Sequence, residues 1–201
     1  MPSKALIVTA ILAGFVAASA QPASDQELAI RLAHEGTRRS AVADIVAAGN
    51  RIVPLLMSWT QKPPSEVDKY DLYIGLADAF AEMKTRESIP FLIKNLSLRR
   101  TGIVDFAPWL KAPAVIESTF PTAAALIAIG PGAADALMRA ARGPMLPEER
   151  TIAIFIITQM IYQHQSVPEA RSFLSSAQGH ANLELRWAQE GLKLIDEHQA
   201  R

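Results

Sequence analysis

The apolar positions of this chain follow a register that occurs in two separate stretches. In each stretch, apolar residues stand at the first, fourth and fifth positions, Gly stands at the eighth, and a second apolar segment follows the turn. At an offset of 81 residues (123 − 42), the matched pairs are Val42 and Ala123, Ile45 and Leu126, Val46 and Ile127, Gly49 and Gly130, Val53 and Ala134, Leu56 and Leu137, and Met57 and Met138. A register that holds across a turn predicts a repeated helix pair, which must stack on its neighbours to bury its apolar face.

Helix signals predict how the rest of the chain is organised. Ser24 stands at an N-cap position with Glu27 three residues later, which predicts a short opening helix that ends near Gly36. Further helices are predicted at 38–48, 51–60, around 76–83, around 89–92, 119–129, 132–142, 147–163, from Pro168 onward and at 181–198. The helix at 147–163 is apolar on most sides, which predicts burial, and the last helix is expected to close the array with Glu184 off its apolar face.

Residues 99–117 interrupt this rhythm. They contain Gly102, Pro108 and Pro113 and show no sustained helical periodicity. The interval between equivalent second helices rises here to 45 residues (137 − 92), against 36 (92 − 56) for the preceding interval. We interpret residues 99–117 as an insertion between repeats.

The insertion combines aromatic side chains with cations. It contains Arg99, Arg100, Phe106, Trp109 and Lys111. Long loops of compact domains are commonly functional, and Arg with aromatic residues is typical of binding hot spots. One interpretation makes Arg99, Arg100, Trp109 and Lys111 a partner-binding element. The alternative is that Phe106 and Trp109 fold under the loop and cover exposed helix ends.

The first residues predict export. Lys4 gives a short positive start, residues 5–16 form an almost wholly apolar run, and Ala18-Ser19-Ala20 is a small-x-small cleavage signature before Gln21. This pattern is typical of a secretory signal peptide at 1–20, and the run is shorter than the roughly 20 residues that span a bilayer. The chain contains no Cys, so neither a lipid-attachment thiol nor a disulfide framework is available. We expect a periplasmic or secreted protein.

Length and charge limit the possible functions. Cleavage would leave 181 residues (201 − 20), enough for a single domain at 21–201 with a sizeable core. Loss of Lys4 would leave 19 basic and 20 acidic residues, a net charge near −1 with His neutral. Nucleic-acid binding draws on many Lys and Arg contacts to phosphate, so this composition argues against it.

The repeated segments at 42–56, 76–92 and 123–138 resemble HEAT repeats and the related phycobilisome-lyase HEAT-like repeats. The third segment, which turns at Gly130-Pro131-Gly132, carries the resemblance most clearly. The resemblance implies an all-α fold, a right-handed α-solenoid of about four to five antiparallel helix pairs, with second helices along a concave, partner-binding side. Lys94 and Arg139 match the basic residue that such repeats carry late in the second helix. Family members mostly bind proteins and only rarely catalyse reactions.

No catalytic or cofactor-binding motif stands out in the sequence. The four His residues lack metal-binding spacing, so a metal site would need His164, His180 and an acid to meet in three dimensions. Helical spacing places two carboxylate pairs on shared faces, Asp68 with Asp71 and Asp78 with Glu82, which would support acid–base chemistry only if buried together. We expect no cofactor.

Three functional hypotheses follow. The favoured hypothesis is an exported, non-enzymatic module that binds a protein or peptide partner through its concave face and the insertion. The second is a structural or accessory subunit of an envelope assembly. The third is a hydrolase or a DNA-repair-type enzyme on a HEAT-like scaffold, which a cluster of buried acids in a groove would favour.

Overall fold

A computed structural model describes residues 24–100, 113–164, 167–177 and 182–200, and over these ranges the chain is helical without strands. The α-helices are α1 (Asp25–Ala33), α2 (Glu35–Ala48), α3 (Val53–Gln61), α4 (Lys69–Met83), α5 (Ile89–Lys94), α6 (Pro113–Thr119), α7 (Pro121–Ile129), α8 (Pro131–Arg142), α9 (Pro147–His164), α10 (Ala170–Ala177) and α11 (Asn182–Gln199). Short 3-10 turns precede α3 and α5 at Gly49–Ile52 and Arg86–Ser88. The predicted all-α class is confirmed, whereas the predicted signal peptide lies outside the described residues.

Polar side chains fix the starts of two helices. Ser24 caps α1 by accepting a hydrogen bond of 3.2 Å from the backbone N–H of Glu27, as the sequence predicts. Asp68 caps α4 by accepting hydrogen bonds of 2.8 and 3.0 Å from the backbone N–H groups of Tyr70 and Asp71. Asp68 therefore caps the N-terminus of α4 and does not pair with Asp71 in a catalytic arrangement.

The matched glycines of the repeat both break a helix. Gly49 has a φ of 62° after α2, and Gly130 has a φ of 77° after α7. This region of backbone space is open mainly to Gly, so both turns depend on it. The predicted turn at Gly49 and its repeat at Gly130 are confirmed.

The helices pack in chain order. The helix α1 packs on α2 and α4, and contacts then run from α2 to α4, from α4 to α7, from α7 to α9 and from α9 to α11, while α5 packs on α8. The matched positions Ile45, Leu56, Leu126 and Leu137 are all fully buried in one core. The first repeat is less covered than the third, since Val46 is 45% exposed and Ile127, its match, is 3% exposed.

Several predicted boundaries need correction. Helix α2 begins at Glu35, before Gly36 where the opening helix was expected to end. Residues 113–117 of the predicted insertion are helical, because α6 runs through Thr119 and only Phe120 separates it from α7. In the last turn of α6, the hydroxyls of Ser118 and Thr119 both donate to the carbonyl oxygen of Val115, at 3.0 and 2.6 Å.

The prediction for Glu184 is wrong. This residue was expected off the apolar face of the closing helix, yet it is only 2% exposed. The physical reason is that α11 packs against both α9 and α10, so more than one side of the helix is covered. Trp59 and Trp187 are buried, as expected of packing residues.

One described segment meets the length and composition of a membrane span. This segment is Glu35–Gln61, and only 17% of its most apolar window is buried. The segment is not one continuous α-helix, because the positive φ at Gly49 and the 3-10 turn Gly49–Ile52 separate α2 from α3. Its inward residues Ile45 and Leu56 belong to the core, but most of the apolar window is not buried.

Candidate binding groove beside helix α4

A charged groove runs along α4 where this helix meets α1 and α2. It has a cavity volume of about 690 Å³. Its lining consists of Ala33, His34, Glu35, Arg38, Arg39, Val42, Asp71, Ile74, Asp78, Ala81, Glu82, Arg100 and Ala124. We refer to this cavity as the α4 groove.

Helical spacing puts three carboxylates of α4 into the groove. Asp71, Asp78 and Glu82 are seven and four residues apart, which places them on one face of a helix with 3.6 residues per turn. The buried face of the same helix, with Leu72, Leu76 and others, holds α4 on the core. The predicted pairing of Asp78 with Glu82 on one face is confirmed.

Gly75 lets α4 approach α1 closely at the edge of the groove. A Cβ atom at Gly75 would lie 2.3 Å from the carbonyl oxygen of Leu32 and 2.7 Å from its Cγ. Contacts this short do not occur between real atoms, so no larger residue fits without a shift of the backbone. The absence of a side chain at Gly75 therefore sets the spacing between α1 and α4.

Arg38 closes the end of α1. Its Nε and Nη2 atoms donate hydrogen bonds of 3.1 and 2.7 Å to the carbonyl oxygens of Leu32 and Ala33. The last carbonyls of a helix have no partner within the helix, and a guanidinium satisfies them well. Arg38 therefore serves the fold, whereas its neighbour Arg39 is exposed and forms no ion pair with any described residue.

Arg100 forms a two-pronged ion pair with Asp78. Its Nη1 atom donates a 3.0 Å hydrogen bond to Oδ2 of Asp78, and Nη2 donates to Oδ1. Its Nε donates to the carbonyl oxygen of Ser118 at 3.1 Å, and its backbone N–H donates to that of Thr119 at 2.9 Å. Arg100 thus ties α6 to α4 and neutralises one groove carboxylate.

Arg99 is held on the other side of the same short segment. Its guanidinium pairs with Glu148 of α9 and lies 5.6 Å from the ring centroid of Phe120. Its backbone N–H donates a 3.0 Å hydrogen bond to the hydroxyl of Tyr70. Arg99 and Arg100 were expected to be available to a partner, but both are engaged within the chain.

The other predicted site residues do not meet in the groove. Lys94 and Arg139 are exposed in the last turns of α5 and α8, and neither lines the cavity. Trp109 and Lys111 lie outside the described residues, as does Phe106. Sequence reasoning missed Arg38, Arg39 and Glu35 as groove residues, although the Arg38-Arg39 doublet at the start of a helix was a visible signal.

The arrangement suits binding better than acid–base chemistry. Asp78 is neutralised by Arg100, and Glu82 is exposed, so these two carboxylates do not form a buried pair. Burial raises the pKa of Glu117 and of Tyr73, but neither residue lines the groove. Across the described part of the chain, no group of three His, Cys, Asp or Glu side chains is placed to hold a metal ion, and the side chains of His164 and His180 lie outside it.

Comparisons with known proteins find no relative of this chain. No family model matches the chain, and no curated protein or solved structure is significantly similar to it. The likeness to HEAT repeats therefore depends on the sequence register described above.

Proposed function

We propose that this protein is an exported, non-enzymatic HEAT-like repeat protein that binds a polypeptide partner. Two observations support a solenoid: the register repeated at Gly49 and Gly130, and helix contacts that run from each first helix to the next. Its right-handed sense is what the resemblance to HEAT repeats implies. Export is supported by the apolar run and cleavage signature of residues 1–20. Pre-organised helices order little on binding, which favours a recognition role.

The charge balance of the α4 groove carries the proposal about the partner. Asp78 is paired with Arg100, and Arg38 is bound to backbone carbonyls. Among the described residues, the groove side chains left without an ion pair are three carboxylates and two guanidiniums, namely Glu35, Asp71, Glu82, Arg38 and Arg39, which leaves a net charge of −1 (2 − 3). Such a surface complements a cationic segment, so the partner is a polypeptide with exposed Lys or Arg side chains.

The test compares two labelled peptides of equal length, one alternating Lys with Ser and the other Glu with Ser, by fluorescence anisotropy. The Lys peptide should bind more tightly, and raising ionic strength from about 0.05 to 0.5 M should weaken its binding because salt screens exposed charges. Combining Asp71→Asn with Glu82→Gln should weaken binding about five- to tenfold, since each exposed pair contributes under about 1 kcal/mol.

The matched control neutralises two exposed carboxylates that do not line the groove, with Glu66→Gln and Asp135→Asn. It removes the same total charge, so it should leave the affinity for the Lys peptide nearly unchanged. Equal binding of the Lys and Glu peptides, or equal losses in the two double variants, would contradict the proposed groove.

A further inference from the structure

A second cavity lies between α9 and α11, away from the α4 groove. Its volume is about 500 Å³. Thr158, Gln159, Tyr162, Arg186, Trp187, Glu190 and Leu194 line it. We refer to it as the α9–α11 cavity.

Gln159 is the unusual residue of this cavity. It is only 9% exposed, and its amide makes no hydrogen bond to any residue that the structure describes. The amide is not among the polar atoms sealed away from solvent, so it opens to the cavity that Gln159 lines. An amide that faces an open cavity without a protein partner is hydrated there, and a ligand bearing the complementary groups can replace that water.

The walls of the cavity combine polar side chains with aromatic and aliphatic ones. Tyr162 is 66% exposed, an unusual position for a large aromatic ring, and Leu194 is partly buried beside the core. The Trp187 ring is packed on Phe155, at 5.0 Å between centroids, and the Arg186 guanidinium lies 5.4 Å from the Trp187 centroid. The exposed Tyr162 ring beside the Gln159 amide combines an apolar surface with hydrogen-bonding groups, as recognition sites commonly do.

The two charges of the lining balance. Arg186 is positive and lies over an aromatic ring, while Glu190 on the next turn is negative. The cavity therefore offers no surplus of positive charge to a phosphate, which argues against a nucleotide. A Gln amide presents one carbonyl acceptor and two N–H donors, and a peptide group presents the matching donor and acceptor.

We propose that the α9–α11 cavity binds the backbone of an extended, uncharged polypeptide segment. The Gln159 amide hydrogen-bonds to a peptide group of the ligand, and Tyr162 and Leu194 receive a neighbouring apolar side chain. This site is independent of the α4 groove, which is lined by other helices and is proposed to select a cationic partner.

The test titrates the full-length exported protein with the capped tripeptide N-acetyl-Ala-Leu-Ala-amide and follows backbone amide shifts of α9 and α11 by NMR. Adenosine is titrated in parallel, because a nucleobase also pairs with a Gln amide. Saturable shifts confined to α9 and α11 with the tripeptide are expected. Gln159→Leu should weaken this binding about tenfold, as expected for loss of a buried hydrogen-bonding group.

Gln163→Leu is the matched control, because Gln163 is exposed on the same helix and does not line the cavity. Gln163→Leu should leave the affinity for the tripeptide unchanged. The double variant Asp71→Asn with Glu82→Gln should also leave it unchanged, so failure of this proposal can be distinguished from failure of the α4 groove. If Gln159→Leu does not fold, Tyr162→Ala provides the test instead. This exposed position should tolerate the change, and the affinity for the tripeptide should fall. Absence of saturable shifts, binding of adenosine alone, or full affinity in Tyr162→Ala or in folded Gln159→Leu would overturn the proposal.

Discussion

The hydroxyl of Thr158 donates a hydrogen bond of 2.9 Å to the backbone carbonyl oxygen of Trp187, which joins α9 to α11 inside the core. Gly191 lies one helical turn beyond Trp187, and a Cβ atom there would approach the Thr158 hydroxyl oxygen to 2.9 Å. The missing side chain at Gly191 thus leaves room for the hydroxyl to reach the carbonyl. The bond satisfies the buried hydroxyl of Thr158 and the carbonyl of Trp187, whereas Nε1 of Trp187 has no partner among the described residues.

Thr158→Val keeps the shape of the side chain and removes this hydrogen bond. We expect a loss of about 1–2 kcal/mol in the free energy of unfolding, measured by urea titration, because a buried bond between helices is lost. Thr151→Val is the control, since the Thr151 hydroxyl bonds at 3.0 Å to Pro147 within the same helix. A loss at Thr158 no larger than at Thr151 would mean that the interhelical bond contributes little.

Gly75→Ala should destabilise the contact between α1 and α4. The new methyl group would meet the backbone oxygen of Leu32, which cannot rotate away, so we expect a cost of about 1–3 kcal/mol in urea unfolding. At Gly132, by contrast, a Cβ would meet only the flexible end of Arg86, at 3.2 Å. Gly132→Ala should therefore be neutral or stabilising by up to about 1 kcal/mol.

Leu126→Ala or Leu137→Ala should each cost about 2–5 kcal/mol, because both residues are fully buried at matched positions of the repeat. Leu146, which is 63% exposed, provides the comparison. Leu146→Ala should change the stability by less than about 0.5 kcal/mol. Similar midpoints and slopes for Leu137→Ala and Leu146→Ala in urea would show that the register of the repeat is misassigned.

Glu117→Gln should stabilise the protein in a pH-dependent way. Burial raises the pKa of Glu117 above its ordinary value of 4.5, so the folded chain holds this proton more tightly than the unfolded chain. Ionisation therefore costs stability as the pH rises through and above that value, and it costs nothing well below it. The melting temperature of Glu117→Gln should exceed that of the wild type at pH 7, and the difference should shrink towards pH 4.

The N-terminal residue of the mature protein tests the predicted signal peptide. Lys4, the apolar run at 5–16 and Ala18-Ser19-Ala20 predict cleavage before Gln21. Mass spectrometry of the protein recovered from the exported fraction should give Gln21 as its first residue. A cytosolic pool that retains Met1, with none exported, would contradict the predicted compartment.

Local signals in the sequence predict the helices and their core positions well. The capping of α1 by Ser24, the turns at Gly49 and Gly130, and the burial of Leu56 and Leu137 depend on nearby residues or on a repeated spacing, both of which the sequence displays. The same spacing argument placed Asp78 and Glu82 on one face of α4, which now borders the groove.

Features that depend on distant helices could not be predicted in this way. The burial of Glu184 follows from α10 and α9 covering different sides of α11, which no local pattern encodes. Arg100 finds Asp78 across 22 positions of sequence, and Arg99 finds Glu148 across 49. Their composition suggested a free hot spot, but the fold engages both cations, and it reveals Arg38 as a helix cap beside the groove.

The chain-order packing of the helices has a consequence for how the two proposed sites communicate. Helix α7 contributes Ala124 to the α4 groove and packs against α9, which carries Gln159. In an array whose members contact mainly their neighbours, a displacement decays unless an intermediate helix passes it on. Helix α7 therefore offers one route for energetic coupling between the two ligands, and Arg99 and Arg100 offer a second, because they pair with Glu148 of α9 and Asp78 of α4.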